Sequence, residues 1–175
     1  MKNLRLFRVL MLLFVGILWA AGHSQAQDAA KEKPSPAATT TGKIGKATVT
    51  VAYSSPAVKG RTIWGGLVPY GQVWRAGANE ATTFTTDQPL TVQGKALPAG
   101  TYALFVIPTE KQWTIIFNKT AKQWGAFKYD EKQDALRVMA TPRKASSMAE
   151  RLVYEVTPQG LILRWENQEV LVALK

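Results

Sequence analysis

From residue 46 to its end, the chain sustains no helical apolar period. Its apolar residues recur at every second position, in short runs closed by Pro, Gly, Asn or Asp. Residues 46–54 (KATVTVAYS) alternate Val49, Val51 and Tyr53 with Thr48, Thr50 and Ala52, the pattern of a half-buried strand. Residues 81–86 are rich in Thr and aromatic residues, again a strand composition. Residues 102–107 (YALFVI) and 113–117 (WTIIF) flank Pro108-Thr109-Glu110-Lys111 and predict a hairpin. Residues 151–156, 161–166 and 170–174 are separated by Thr157-Pro158-Gln159-Gly160 and by a short Asn167-Gln168 turn, which predicts a meander. Pro89, Pro98 and Gly100 bracket two further segments, at 90–93 and from Thr101, with the character of edges or corners. Only residues 146–151 and 120–127 offer short helices. The chain therefore predicts an all-β, single-domain antiparallel β-sandwich, jelly-roll or immunoglobulin-like, with at most one or two short helices.

The first 45 residues differ in kind. Lys2, Arg5 and Arg8 precede an apolar run over 9–21, and Ser24-Gln25-Ala26 has the small-x-small form that signal peptidase cuts, so residues 1–26 read as an export signal. The apolar run spans 13 residues, short of the roughly 20 that a spanning helix needs, so no membrane span is expected after signal removal. No Cys stands at the cleavage point to carry a lipid. The expected location is exported, either periplasmic or secreted. Residues 27–45 contain no aromatic residue and only one large aliphatic, Ile44, and read as a disordered tether, with a packed first strand as the alternative. The folded domain is then expected over 46–175.

Composition excludes most catalytic chemistry. The chain of 175 residues has 22 Lys+Arg, 12 Asp+Glu, one His and no Cys. Loss of residues 1–26 would remove three basic residues and His23, leaving 149 residues with 19 basic against 12 acidic side chains, a net +7. Without Cys no disulfide framework is possible, but a chain of about 150 residues buries roughly two-thirds of its surface and supports one domain on its core alone. Without His or Cys there is no Ser-His-Asp or Cys-His nucleophile, no thiolate or imidazole metal site and no His acid–base group. No cofactor and no metal are expected. Asp130-Glu131-x-x-Asp134 lacks the ligand steps and Gly of a calcium loop and reads as a solvated acidic turn. Ser55 and Lys59 stand four apart, but Pro56 opposes their presentation on a helix. No phosphate-cradling loop is present. The basic residues are scattered, with no recognition helix or stacking motif, so no nucleic acid is expected; the charge suits anionic envelope surfaces or polysaccharides.

One segment does not read as scaffold. Residues 55–80 (SPAVKGRTIWGGLVPYGQVWRAGANE) hold five of the chain's 13 Gly, with Pro56 and Pro69, interleaved with Arg61, Trp64, Tyr70, Trp74, Arg75, Asn79 and Glu80. A long irregular connection is usually functional or disordered, and two Trp and a Tyr argue against disorder. Gly admits close backbone approach, while Trp and Arg supply flat faces and bidentate donors. The combination suits a site for a sugar ring, a carboxylate or a phosphate. The competing reading makes Trp64 and Trp74 a plug at the end of the sandwich, with Arg75 and Glu80 as an internal ion pair that fixes the loop.

Residues 53–84 (YSSPAVKGRTIWGGLVPYGQVWRAGANEATTF), followed by 97–108 (LPAGTYALFVIP), 113–119 (WTIIFNK) and 123–130 (QWGAFKYD), resemble the exported bacterial family catalogued as domain of unknown function 2911. The resemblance covers residues 46–175. It implies a Bacteroidetes-type bacterial source and an export signal, and it brings no activity, substrate or catalytic residue. It marks Tyr53, Pro56, Lys59, Gly60, Arg61, Gly65, Pro69, Tyr70, Gly71, Trp74, Arg75, Gly77, Asn79 and Glu80 as positions that fit the family pattern.

Three functional readings follow. The first is a non-catalytic, ligand-binding or envelope-associated protein for a small molecule or glycan. In it Trp64 and Trp74 stack on the ligand, Arg61 and Arg75 bind anionic or hydroxyl groups, Asn79 and Glu80 orient it, and Trp124 lines the same mouth. The second is a carboxylate-dependent hydrolase of envelope or extracellular glycans. It would use Glu80 with Glu166, Glu155 or Asp130 as the second acid, about 5–10 Å away. The third is a structural interaction protein with no small-molecule site. Oligomeric state is not legible.

Overall fold

The computed structural model describes residues 34–175. The expected signal at 1–26 and the start of the expected tether, 27–33, lie outside the described residues. Ten strands follow in order: β1 Ala37–Ile44, β2 Ala47–Ser54, β3 Thr82–Thr86, β4 Leu90–Val92, β5 Lys95–Leu97, β6 Gly100–Ile107, β7 Trp113–Asn118, β8 Asp134–Ala140, β9 Pro142–Thr157 and β10 Gly160–Ala173, with one 3₁₀ turn at Glu131–Gln133. No described helix is long and apolar enough to cross a membrane.

The strands form two layers. The first is an antiparallel sheet in the order β1-β2-β3-β6-β7-β8. The second is the β9–β10 hairpin, extended by the β4–β5 hairpin through a Val92–Leu174 bridge and paired hydrogen bonds between Thr91 and Lys175. The alternating residues Val49, Val51, Phe84, Leu104 and Phe117 of the first layer share one core with Leu152, Leu161, Leu163 and Val172 of the second. The molecule is thus an all-β antiparallel sandwich. β6 and β7 are apolar on both faces because Phe105 and Ile116 point outward beneath the connection that follows β7, where Tyr129 packs edge-on to Phe105 at 5.1 Å. That second burial accounts for their unbroken apolar runs.

Four expectations are corrected. Residues 37–44 are a strand, not tether: β1 pairs with β2 over eight residues, and its Thr41 hydroxyl meets that of Thr50 at 3.1 Å. A lateral strand rich in β-branched Thr is held by backbone ladders and needs little bulk. The folded body accordingly begins before residue 46. Residues 120–127 form no helix but a loop that adds a bridge between Trp124 and Glu80. Asn167-Gln168 is no turn, since β10 runs through it with Glu166 at φ 55.

Residues 146–151 are likewise not helical. Along β10 the two steps from Arg164 to Glu166 are matched by four along β9, and the next two by five, so β9 swells away from its partner. The displaced stretch pairs instead with the start of the Gly- and Trp-rich segment. Val58 N–H donates to Glu150 O at 2.7 Å, Leu152 N–H to Pro56 O at 3.0 Å and Ser55 Oγ to Leu152 O at 2.7 Å. The Glu150 carboxylate also accepts from the Lys59 N–H at 2.9 Å. β9 thereby fixes one wall of the candidate site.

On β10, the buried Glu169 carboxylate accepts from Arg164 and from both Nε (2.8 Å) and a terminal nitrogen (2.5 Å) of Arg143. Arg164, then Arg143, hold its acid below the ordinary glutamate range against the opposing effect of burial. A depressed folded pKa contributes stability that is present at neutral pH and lost as pH falls through it. Glu169→Gln is expected to cost about 1–3 kcal/mol at neutral pH, discounted because both arginines are partly solvated. The gap to the parent should shrink on acidification. Urea unfolding across pH measures this, and a pH-independent gap would contradict it.

Candidate functional site

Four tryptophans meet at one end of the core. Trp64 lies 4.5 Å from Trp113, 5.7 Å from Trp74 and 5.9 Å from Trp165 between ring centres, and Trp74 stacks on Trp165 at 5.8 Å. Trp74 is placed by a two-way backbone pair with Val106, and its indole donates to Gly77 O at 3.1 Å. The Trp113 indole donates to Thr109 O at 3.1 Å. The indole N–H groups of Trp64 and Trp165 are buried with no hydrogen-bond partner among the described residues. Trp64 is partly buried and packs against the core, while Trp74 is buried within it.

Beside this cluster lies a cavity of about 260 Å³ whose walls include Arg61, Arg75, Trp74, Trp165 and Asn79. Arg61 is anchored by donation from Nε to Val58 O (3.0 Å) and from a terminal nitrogen to Ala57 O (2.5 Å). Arg75 makes no ion pair among the described residues, and its Nε is buried without an acceptor. Burial pushes the Arg75 guanidinium pKa down. No carboxylate lines the cavity. The described walls thus hold two cations and a surplus of donors.

Arg75 and Glu80 do not pair, for a reason local to the chain. Ala76 (φ 53) and Asn79 (φ 58) both take left-handed backbone conformations and turn the segment twice in four residues. The first turn is held by the Ala76 carbonyl, which accepts from Thr82 Oγ1 at 2.9 Å and the buried Tyr154 hydroxyl at 2.7 Å. Asn79 holds the second by donating to Ser54 Oγ at 3.2 Å and Ser35 O at 3.4 Å. Left-handed non-glycine residues cost of order 1–2 kcal/mol each, so these contacts offset a real strain.

Past the second turn Glu80 is exposed and sits beside Trp124. Two clefts flank them, one of about 530 Å³ reaching Thr83 and Lys122, the other of about 330 Å³ reaching Ser54 and Asn79. Trp124 lines these and not the arginine cavity; Asn79 and Ser35 form a wall common to the smaller cleft and that cavity. The structure brings Arg61, Trp74, Arg75 and Asn79 together, places Glu80 and Trp124 next door, and packs the partly buried Trp64 against the core, off the cavity wall. Trp165 and Ser35, which no sequence motif marks, also line the cavity. Trp165 carried only the signature of an inward-facing strand residue.

Glu80 is the one carboxylate lining either cleft. Glu155 is paired with Arg164 at 2.6 Å, Glu166 accepts from Asn167 at 2.6 Å, and Asp130 caps the 3₁₀ turn. None faces Glu80 across a cleft. Among the described residues no group of three or more acidic, His or Cys side chains could hold a metal ion.

One protein family, described as "Protein of unknown function (DUF2911)", matches residues 35–174. Nothing among the curated proteins and nothing among the solved structures matches the chain.

Proposed function

Because the chain belongs to the DUF2911 family, a membership that brings no reaction with it, we propose on chemical grounds that it is an exported, non-catalytic binding protein for a small anion. The ligand class is a carboxylate or phosphate ester held in the Arg61–Arg75 cavity. One observation carries the reading: Arg75 is a partly desolvated cation with a buried, unmatched Nε, on a wall that offers no carboxylate. A charge kept from water without a partner is costly, and an incoming anion is what would offset that cost. Arg61, tethered to two carbonyls, offers its remaining N–H groups without much further ordering. Trp74 and Trp165 supply apolar walls. The export part of the reading rests on residues 1–26.

The test is a thermal-shift screen of the purified protein against small carboxylates and phosphate esters. A ligand at about a hundred times its Kd should add about 2.7 kcal/mol of stability. Arg75→Met should abolish that rise while leaving the unliganded protein as stable as the parent or more so, since it removes an uncompensated charge. A ligand-induced rise that survives the substitution would place the site elsewhere. A marked loss of unliganded stability would make Arg75 a structural residue.

A further inference from the structure

The clefts around Trp124 contain neither arginine and call for a different ligand. Trp124 is 61% exposed, an uncommon position for the largest apolar side chain. Its backbone is nonetheless fixed on both sides: Ala81 N–H donates to Gln123 O at 2.9 Å and Gly125 N–H donates to Asn79 O at 3.1 Å. The Gln123 amide closes the same loop by donating to Thr120 O at 2.7 Å. A flat ring held out from a backbone already ordered offers stacking area at little entropic cost on binding. Both clefts open beside it, with volumes in the range of small-ligand sites.

The polar groups around the ring narrow the ligand further. Glu80 lines both clefts and makes no ion pair among the described residues. Thr83 and Lys122 lie on one side, Ser54 and Asn79 on the other. One acid and one base leave the groove near neutrality, so charge selects for neither sign. What remains is an apolar face flanked by dispersed donors and acceptors. The complementary ligand has flat C–H faces and a rim of hydroxyls.

We infer that the Trp124 groove is a carbohydrate-binding subsite, in which a pyranose ring stacks on Trp124 and the glycan continues from one cleft to the other. Glu80 and Asn79 take the hydroxyls at the crossing. No bond is made or broken there, since no second carboxylate faces Glu80. This reading is independent of the arginine cavity and stands or falls separately from it.

Isothermal titration of the purified protein with β-1,4-linked tetrasaccharides of glucose, N-acetylglucosamine and xylose tests it. At least one should bind, Trp124→Ala should weaken that binding about tenfold or more, and Arg75→Met should leave it unchanged. Circular dichroism of the Trp124 variant should match the parent, because the side chain is mostly solvated. Absence of binding by all three sugars, or binding untouched by Trp124→Ala, overturns the inference. Loss of sugar binding in Arg75→Met but not in Trp124→Ala would overturn it too, moving the sugar into the arginine cavity.

Discussion

Gly160→Ala is expected to destabilise the protein by about 4 kcal/mol or more, enough to remove most soluble folded material. Gly160 opens β10 at φ 146, a conformation that side-chain-bearing residues rarely adopt. A Cβ there would lie 2.1 Å from the Val172 carbonyl oxygen and 2.9 Å from both Ala173 Cα and Leu174 N. All three are backbone, so no rotamer change relieves the overlap. The end of β10 would have to move, although Leu174 N–H is bonded to Gln159 O at 3.1 Å and Val92 bridges to Leu174. The β4–β5 hairpin would be displaced with it. Gly60→Ala is the matched control: its φ is 67 and nothing lies within 4 Å of the added carbon, so only the backbone penalty of about 1 kcal/mol applies. Urea unfolding of the two variants separates the mechanisms. Equal losses would show that the crowding around Gly160 does not limit the fold.

Trp113→Ala is expected to cost about 3–5 kcal/mol. Its side chain is 1% exposed, it is the closest neighbour of Trp64 in the tryptophan cluster, and its indole hydrogen bond secures the turn after β6. Removing it opens a hole that the other three rings cannot fill without leaving their own contacts. Trp74 and Trp165 line the arginine cavity, so the proposed anion binding should fall along with stability. Trp124→Ala removes the same atoms from a solvated position and should stay within about 0.5 kcal/mol of the parent. Chemical denaturation gives both values. Similar losses for the two tryptophans would refute the assignment of one to packing and the other to the surface.

The sandwich was legible because its central strands are ordinary. The alternation of β2 and the turn between β6 and β7 mark strands in any sheet. β1 is only the lesser reading of residues 27–45 in sequence because its Ala and Thr residues gain their place through the ladder to β2 and through the packing of Val156 on Gly42, where a Cβ would approach within 2.7 Å. Neither interaction is visible in β1's own composition. The swollen part of β9 resembled a helix because residues there serve two partners and obey neither strand's period.

At the site, sequence located the polar chemistry in residues 55–80 but could not divide it. Trp64 and Trp74 stand ten residues apart with equal claims to a ligand; both join the tryptophan cluster, and only the folded chain shows that Trp74 borders the arginine cavity while Trp64 does not. Arg75 and Glu80 invited pairing by proximity, and two left-handed residues between them decide otherwise. Ala76 is not a residue from which such a turn is read. Its conformation depends on Thr82 and Tyr154, the latter 78 positions away.

The pairing of residues 55–59 with the displaced part of β9 also sets an order of events. The contact between Ser55 and Leu152 spans 97 positions, so a chain emerging from the ribosome presents the site-forming segment long before the strand that shapes it. Contacts of such separation form late and slow the search for the native state. A product shortened by its last 30 or so residues would retain every arginine and tryptophan of residues 55–80 and still lack an assembled cavity. The cavity wall at residues 55–58 is therefore assembled only after residues 150–152 have joined the fold.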